Sequence, residues 1–284
     1  HYTAAGHFYG FARFGSVDLS SPGGAGMVLW RVSGEGTTLW AVRAGGDSGD
    51  DNLYAAAAVS RLLYPIADGT TCEGCDVVAG GSFTNRATFG GDTAEHELRG
   101  AGVVIDAVLW RVSAQGTTQW AVKGGGTSFD RVYSVASDGG GGVVAAGYFT
   151  NTATFGHVVL TGAGNRDALL WKVSETGTTL WAVGGGGVDV DELYGVAIAV
   201  GVREGDATGG LSGPGVIVAG FLGGTGLATF GGNATVSTTG TSGYEDALVW
   251  KLVDSYNLPP SPPPPPSPPS PPPSPPPPAG GAKA

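Results

Sequence analysis

The sequence predicts an all-β protein made of repeated four-stranded antiparallel units and followed by a polyproline II tail. Three observations predict it: strand-like runs recur in a fixed order, glycine-rich turns separate them, and most of the proline lies near the end of the chain. Glycine accounts for 53 of the 284 residues, and charged residues for 13%, about half the usual share of roughly 25%. This composition is typical of a turn-rich β protein with a hydrophobic core.

A hairpin motif occurs three times, as RVSGEGTTLWAV from Arg31, RVSAQGTTQWAV from Arg111 and KVSETGTTLWAV from Lys172. Each copy follows a Trp, and DALVWKLV near the end of the repeats is a fourth, shorter copy. The residues before the turn alternate with the period of two that a β-strand shows. We therefore predict a hairpin that places Trp30 opposite Trp40, with the tryptophans of both positions in the core.

Two further motifs recur. One reads VVAGGSFTNRATFG, VVAAGYFTNTATFG and IVAGFLGGTGLATFG, with a relative, AAGHFYGFARFG, near the first residue. The other is D-x-x-Y before small apolar residues, and its aspartates are Asp51, Asp130 and Asp191. The simplest interpretation is that this aspartate accepts backbone amide hydrogen bonds at the turn into its strand.

Each unit therefore contains four strand-like runs in order, for example YSVAS, VVAAGYF, ALLWKVS and TLWAV. Four short antiparallel strands with two apolar faces predict blades stacked face to face around an axis. We expect the third strand to begin at an aspartate and to carry a basic residue on its solvated part. The aspartates are Asp106, Asp167 and Asp246, and the basic residues are Arg31, Arg111, Lys172 and Lys251.

The pattern resembles the bacterial-type β-propeller repeat, in which an Asp-Ala-x-x-x-Lys strand, a turn and a Trp strand precede Gly-Gly-x-x-x-Asp-x-x-Tyr-Gly. The matching residues are Asp167, Ala168, Lys172, Trp181, Gly186, Asp191, Tyr194 and Gly195. The first copy departs at Gly26, where the repeat has Asp. The resemblance implies a four-bladed or partial β-propeller of four-stranded antiparallel blades over residues 1–257.

The order of the strands leaves the ring incomplete. The chain opens in the second strand of a unit, AAGHFYG, and the repeats close after a third strand, ALVWKLV. These two fragments together hold six strands, so they cannot merge into one four-stranded blade. Either four blades form a ring with two incomplete members, or the missing strands come from elsewhere. Because uncovered edges pair with other chains, we expect self-association head to tail into rings or filaments.

The tail holds all the proline except Pro22, Pro65 and Pro214. Proline has a fixed φ and no amide donor, so residues 259–278 cannot enter a helix or the interior of a sheet. They are expected to form a polyproline II rod of about 60 Å, at a rise of ~3.1 Å per residue. We therefore assign residues 258–284 to a separate Pro/Ser-rich tail.

The alternation of serine with runs of proline is similar to hydroxyproline-rich glycoproteins of plant and green-algal walls, including the pherophorin group. In that family the prolines are hydroxylated and arabinosylated and the serines can carry galactose. The resemblance implies covalent glycans and an extracellular location, in a cell wall, a matrix, or a cell or flagellar surface. The residues concerned are Pro259, Pro260, Ser261, Pro262, Pro263, Pro264, Pro265, Pro266, Ser267, Pro268, Pro269, Ser270, Pro271, Pro272, Pro273, Ser274, Pro275, Pro276, Pro277 and Pro278.

Three other residues are candidates for covalent modification. Cys72 and Cys75 are the two cysteines, and a single CxxC lacks the second pair of ligands that a structural zinc site requires. A short disulfide that staples a loop is the simplest interpretation, with a reactive or metal-binding pair as the alternatives. Asn233 opens an N-glycosylation sequon in a glycine-rich loop, where a glycan would be exposed.

Catalytic and metal motifs do not emerge. The sequence has no GxSxG, HExxH or P-loop pattern, so we predict no enzyme, no catalytic residue and no cofactor. Two carboxylate clusters are weak calcium candidates, but the related TSFDRVY copy keeps a single aspartate, so no metal site is predicted. These candidates are Asp47, Asp50, Asp51, Asp189 and Asp191.

Charge and hydropathy limit the partners. The 14 Lys and Arg are scattered, against 24 Asp and Glu, so the chain offers no basic patch to nucleic acid or to anionic lipid. No apolar run reaches the roughly 20 residues of a transmembrane helix, so we expect no membrane insertion. The sequence favours a structural extracellular glycoprotein that assembles with its own copies. The alternatives are a carbohydrate-binding module that uses Tyr9, Tyr148 and Tyr244, and a hydrolase with paired carboxylates.

Overall fold

The computed structural model describes residues 1–46, 49–59, 74–91, 96–100, 104–199, 215–224, 226–231, 234–238 and 245–253. Its elements in these ranges are β-strands, as predicted. In chain order they are β1 (Tyr2–Phe14), β2 (Val17–Val32), β3 (Thr38–Gly45), β4 (Gly49–Asp50), β5 (Asn52–Val59), β6 (Asp76–Thr84), β7 (Arg86–Phe89), β8 (Glu97–Arg99), β9 (Ile105–Val112), β10 (Thr118–Gly126), β11 (Arg131–Ser137), β12 (Val143–Phe149), β13 (Thr152–Phe155), β14 (Val158–Thr161), β15 (Asp167–Val173), β16 (Thr179–Gly186), β17 (Asp191–Ala199), β18 (Gly215–Gly223), β19 (Gly226–Phe230), β20 (Ala234–Thr238) and β21 (Glu245–Val253).

The strands form four sheets. The first has the order β1-β2-β3-β7-β8, with β4 parallel to β2, and the second has the order β14-β13-β10-β9-β6-β5. The third has the order β11-β12-β15-β16-β19-β20, and the fourth has the order β17-β18-β21. Apart from β4, the paired strands within these sheets run antiparallel.

The predicted order of four strands per unit is confirmed in the second and third sheets, as β5-β6-β9-β10 and β11-β12-β15-β16. The first sheet starts with a second-type strand, because β1 pairs with β2 as β12 pairs with β15. Within the described residues, the fourth sheet ends at its third-type strand, β21. The predicted boundary of the propeller-like region at residue 257 and the tail lie outside the described residues.

Each of the three later units also contributes a hairpin to the preceding sheet, and the sequence did not predict these hairpins. The ATF segment of each later unit leaves its own sheet and starts a short hairpin beside the fourth strand of the preceding sheet. Thus β7–β8 extend β3, β13–β14 extend β10, and β19–β20 extend β16. The first, second and third sheets therefore contain strands from two consecutive units.

Backbone conformation explains why the chain leaves its sheet at these places. Asn85 and Asn151 precede two of the hairpins and have φ of 60°, in the left-handed region that Asn tolerates better than most residues. The tips of these two hairpins turn at Gly90 and Gly156, with φ of 86° and 62°. A kink and a glycine turn thus define each hairpin locally.

Hydrophobic packing joins consecutive sheets face to face. Met27 and Leu29 of the first sheet pack with Val108 of the second, whose neighbour Leu109 points to the third sheet. Leu170 of the third sheet packs toward the fourth in the same alternating way. Within the described residues no such cluster joins the fourth sheet to the first, and no closed ring is seen there.

The tryptophan prediction is confirmed in part. Trp110 and Trp171 are fully buried, but Trp40 lies opposite Arg31, and Trp30 lies opposite Ala41. The predicted pair of Trp30 with Trp40 is therefore wrong. A register shift between Arg31 and its neighbour moves the fourth strand by one residue, and a one-residue shift places the two rings on opposite faces.

The basic residues of the third strands are not solvated as predicted, except for one. Arg31 and Arg111 are 3% and 6% exposed. Arg31 donates to a backbone carbonyl of the next unit, and Arg111 pairs with Asp76 at 2.8 Å while donating to two carbonyls. Lys172 is paired and mostly buried, and Lys251 is exposed. The next unit covers the end of each third strand, and its buried carbonyls require donors.

Candidate functional site

The tyrosines of the D-x-x-Y motif, Tyr54, Tyr133 and Tyr194, form a row across three sheets, here called the tyrosine row. They lie on β5, β11 and β17, the first strands of consecutive units, and β11 contacts both of the others. The ring of Tyr133 lies 5.3 Å from that of Tyr54 and 5.0 Å from that of Tyr194, between centroids. The outer rings are 40% and 51% exposed, so the row is open to solvent at both ends. The ring of Tyr133 meets that of Tyr54 edge to face and is tilted by 33° from that of Tyr194.

Charged groups surround the tyrosine row. Arg131 lies over the ring of Tyr54, with 5.9 Å between the guanidinium carbon and the centroid, and Arg166 lies 4.8 Å over Tyr148. Arg166 also donates to buried Glu192 at 2.5 Å. The Tyr194 hydroxyl donates to the other oxygen of the same carboxylate at 2.7 Å. These contacts fix the end of the row and satisfy the buried carboxylate.

Two tyrosines of this region, Tyr133 and Tyr148, remain protonated at neutral pH. Burial raises the pKa of Tyr148 to about 12 and also raises the pKa of Tyr133 above its usual value. Aromatic faces beside hydroxyl and guanidinium donors can stack against an apolar ring and hydrogen-bond its polar substituents.

The D-x-x-Y aspartates are buried hydrogen-bond acceptors, as predicted. Each carboxylate accepts one backbone amide from the end of the preceding unit's fourth strand and one from the end of its own second strand. The amides and distances are Gly46 (2.8 Å) and Thr84 (2.8 Å) for Asp51, Gly126 (2.9 Å) and Thr150 (3.0 Å) for Asp130, and Gly187 (2.7 Å) and Gly223 (3.2 Å) for Asp191. The motif therefore ties consecutive units together.

A second buried aspartate lies beside two of these acceptors. A Cβ built on Gly125 would lie 2.3 Å from Asp106 and 2.7 Å from Asp130, so both carboxylates face one glycine. Burial, with a smaller contribution from the charge of Asp106, raises the pKa of Asp130 to about 7. Asp106 pairs with Lys123 at 3.3 Å. Both carboxylates have 0% exposure. This pair is therefore enclosed and does not form the open cleft that the hydrolase alternative needs; in the first unit Gly26 replaces the second aspartate.

The third strands begin near their aspartates, as predicted. Asp167 opens β15, and Asp106 and Asp246 are the second residues of β9 and β21. The carboxylate of Asp167 accepts the backbone amide of Ala163 at 3.1 Å. This contact holds the loop that leads into its strand.

Several residues predicted as modification sites or as calcium candidates lie outside the described residues. These are Cys72, Asn233, Asp47, the side chain of Asp50 and the tail residues 259–278. Cys75 is 4% exposed and disulfide-bonded. The pairing with Cys72 stays a prediction.

The calcium candidates are dispersed by the fold. Asp51 and Asp191 are occupied as acceptors of backbone amides. Asp189 lies at the approach to Gly224, where an added Cβ would collide with its carboxylate. In the described part of the chain, no group of three His, Cys, Asp or Glu residues is placed to hold a metal ion.

The tyrosines chosen from sequence for carbohydrate binding differ from those that the fold exposes together. Tyr9 is 62% exposed, whereas Tyr148 is 1% exposed and Tyr244 lies outside the described residues. The D-x-x-Y repeat is visible in the sequence, but only its aspartate was predicted to have a role. The signal for the row is that each tyrosine lies three residues after the aspartate of its motif.

The first unit also has a hairpin, residues 10–21, here called the first hairpin. It continues β1 and β2, which pair from Gly10 with Ser21 to Phe14 with Val17. Its residues Phe11 and Arg13 are strongly exposed. Among the described residues, this hairpin has no fourth strand of a preceding unit beside it, unlike the three later hairpins.

Comparison with known protein families and with curated proteins finds no match to this chain. Among the described residues, no helix has the length and apolar character needed to cross a membrane.

Proposed function

We propose that the protein is a structural component of an extracellular assembly and joins neighbouring copies through its first and fourth sheets. The observation that carries the proposal is the first hairpin. Three equivalent hairpins pair with the fourth strand of a preceding sheet, whereas the first one has no such strand beside it among the described residues. Open edge strands and exposed apolar residues on one surface favour association with another chain.

The geometry favours a head-to-tail contact. The first sheet of one copy would stack on the fourth sheet of the next, in the way that consecutive sheets stack within the chain. Such a contact joins two different surfaces, so it repeats into a ring or a filament. The open series of four sheets, with no packing cluster between its two ends in the described part, supports this arrangement.

The Pro/Ser-rich tail has its own part in this proposal. A polyproline II rod is stiff and has no internal hydrogen bonds, so it would act as a spacer between sheet-built bodies. Hydroxylation and O-glycosylation of residues 259–278 would hydrate the rod. The disulfide at Cys75 supports an oxidising, extracellular environment, such as a cell wall, matrix or cell surface.

Imaging and mass spectrometry of the native protein test this proposal together. We expect electron microscopy of the extracellular fraction to show rings or filaments that contain this chain. We expect the tail peptide to carry hydroxylated prolines and pentose or hexose additions. Native protein that is monomeric and has an unmodified tail would contradict the proposal.

Carbohydrate binding is the second candidate function, and the tyrosine row favours it. Exposed aromatic rings stack on the apolar faces of sugars, and Tyr54 and Tyr194 present two such rings at the two ends of the row. A glycan array probed with the full chain tests this candidate, with Tyr194→Ala as the variant. Saturable binding of a glycan that is weaker in Tyr194→Ala would support a carbohydrate-binding function. The absence of binding to any glycan on the array would contradict this candidate function.

A further inference from the structure

We propose that the first hairpin is a docking site for one more fourth strand, an extended segment of the type Thr-x-Trp-Ala-Val followed by glycines. The segment would come from a further repeat unit, beyond those in the described part of the chain. This inference rests on the proposed function and specifies the chemistry of the contact.

The first hairpin has the same internal structure as the other three. Gly10 has φ of 61°, as Asn85 and Asn151 have 60° at the equivalent kink, and its tip turns at Gly15 with φ of 63°. The phenylalanine before the tip packs on the tryptophan of its own third strand in all four units. The pairs and their centroid distances are Phe14–Trp30 (5.7 Å), Phe89–Trp110 (5.6 Å), Phe155–Trp171 (5.2 Å) and Phe230–Trp250 (5.1 Å).

The three later hairpins have the same kind of partner. The phenylalanine pairs with Ala44, Gly124 or Gly185, and the preceding threonine pairs with the glycine that follows. Each partner lies at the end of a fourth strand, two residues after the valine of the Trp-Ala-Val run. By the same register, Phe14 and Arg13 would face two consecutive small residues of a docked strand.

Close approach requires these small residues. A Cβ added to Gly124 would lie 2.0 Å from the ring of Phe155, and one added to Gly126 would lie 2.1 Å from the carbonyl oxygen of Thr152. A Cβ added to Gly46 would lie 1.9 Å from the carbonyl oxygen of Arg86. The hairpin therefore selects a strand whose end is rich in glycine, and a generic β-strand would not fit.

The first hairpin exposes the surface that is covered in the later ones. Ala12 and Phe14 are partly exposed. Their equivalents are nearly inaccessible: Ala87 and Phe155 have 0% exposure, Phe89 and Ala153 have 1%, Phe230 has 2% and Ala228 has 3%. Burial of this surface therefore continues the series of interfaces between consecutive sheets.

The neighbouring residues of β1 follow the same pattern. His7 and Tyr9 are exposed and pack edge to face at 5.7 Å, whereas Tyr148 and Thr150 at the equivalent positions are 1% and 9% exposed. The three fourth strands in the described part of the chain already pair with their own hairpins. The docked strand therefore belongs to a further unit.

A peptide with the sequence of residues 117–126, TTQWAVKGGG, is the probe for this docking site. Titration of the unmodified full chain into the labelled peptide, followed by fluorescence anisotropy, is expected to show saturable one-to-one binding. The control peptide has Gly124→Val and Gly126→Val, which introduce the two collisions described above. We expect the control to bind at least about tenfold more weakly, and equal binding of both peptides would overturn the proposal.

Two matched variants of the protein locate the site. Ala12→Lys places a charged chain where the later hairpins are buried, and it is expected to weaken peptide binding about tenfold or more. Ser20→Lys adds the same charge on the second strand of the first hairpin. The equivalent residue, Thr161, is exposed although its hairpin is paired with β10, so this variant is expected to bind the peptide as the wild type does. Circular dichroism checks that both variants are folded. Binding that survives Ala12→Lys would place the peptide elsewhere, for example beside β21, and would overturn the inference.

The peptide test and the assembly test can fail separately. Self-association of the full chain without peptide binding would remove this inference and leave the proposed function intact. Peptide binding by a chain that stays monomeric alone and in native material would keep the docking site and remove the proposed self-assembly. The control peptide tests the inference even if Ala12→Lys does not fold.

Discussion

At the scale of single residues, the D-x-x-Y aspartate is the clearest link from sequence to architecture. Each of these carboxylates is buried and accepts two backbone amides from two different strands. Amide donors stabilise a buried carboxylate, but burial still disfavours its charged form. In the second unit these effects leave Asp130 with a pKa of about 7, because desolvation and nearby Asp106 outweigh the two hydrogen bonds.

The raised pKa of Asp130 predicts that the stability of the fold depends on pH. Its pKa is higher in the folded state than the ordinary value of 3.8, so the folded state binds the proton more tightly. The resulting stabilisation is complete below about pH 4 and is lost as the pH rises through about 7. In Asp130→Asn we expect this decline, on the order of a few kcal/mol at most, to disappear from the free energy of unfolding measured by denaturant titration.

Asp138→Asn is the control with the opposite sign. Burial alone would raise the pKa of Asp138, but hydrogen bonds from Lys172 and from backbone amides hold it below the ordinary value. Its contribution is present at neutral pH and is lost as the pH falls through the lowered pKa. An unchanged pH profile in Asp130→Asn would contradict the assignment of the raised pKa.

Arg111 is a second residue whose burial has a measurable consequence. Its guanidinium pairs with Asp76 and donates to the carbonyls of Gly141 and Glu175. Arg111→Ala removes donors from buried acceptors, so we expect it to lower the free energy of unfolding by about 3 kcal/mol. Arg13→Ala, which removes an exposed pair with Asp18, is expected to cause no measurable change. Equal effects of the two substitutions in thermal unfolding would refute this interpretation.

At the scale of the elements, exchange of hairpins joins the sheets more firmly than packing alone. Each exchanged hairpin adds backbone hydrogen bonds to the fourth strand of the preceding unit and inserts a phenylalanine over its glycines. The unit defined by the sequence repeat and the sheet defined by hydrogen bonding are therefore offset. Because of this offset, a hairpin from the next unit covers the edge strand of each of the first three sheets.

Gly126 tests the exchange within the chain. In Gly126→Val the added side chain meets the carbonyl oxygen of Thr152, so we expect β13–β14 to separate from β10 at a cost of about 1–3 kcal/mol. Gly6→Val is the control, because a Cβ at Gly6 in β1 meets no atom within 4 Å. Hydrogen exchange is expected to rise in residues 152–161 of the Gly126 variant only. Full protection of that hairpin in the variant would contradict the role assigned to this glycine.

The sequence predicted the features of the elements that depend on neighbouring residues, and it missed those that depend on contacts between units. Strand order and the Asp130 contacts follow from local patterns, because period-two alternation and turn chemistry act over a few residues. The register of Trp40 depended on a bulge, and the burial of Arg111 depended on the next unit, and neither is encoded locally. The hairpins were missed because ATF was assigned to none of the four strand-like runs; Asn151, which has φ of 60°, was the local signal for them.

At the scale of the whole molecule, the described chain is an open series of four sheets held by face-to-face packing and hairpin exchange. Its first sheet presents an unpaired hairpin, and its fourth sheet ends at a third strand within the described residues. In our proposal these two ends meet in neighbouring copies, and the Pro/Ser-rich tail spaces the resulting assembly. Stiffness would then come from sheets that stack face to face across subunit boundaries.

Sedimentation velocity of the full unmodified chain over a range of concentrations is the most direct measurement of this proposal. We predict species heavier than the 28.2 kDa monomer that grow with concentration, are lost in Ala12→Lys and persist in Ser20→Lys. A single 28.2 kDa species at every concentration, or association that Ala12→Lys leaves unchanged, would contradict it.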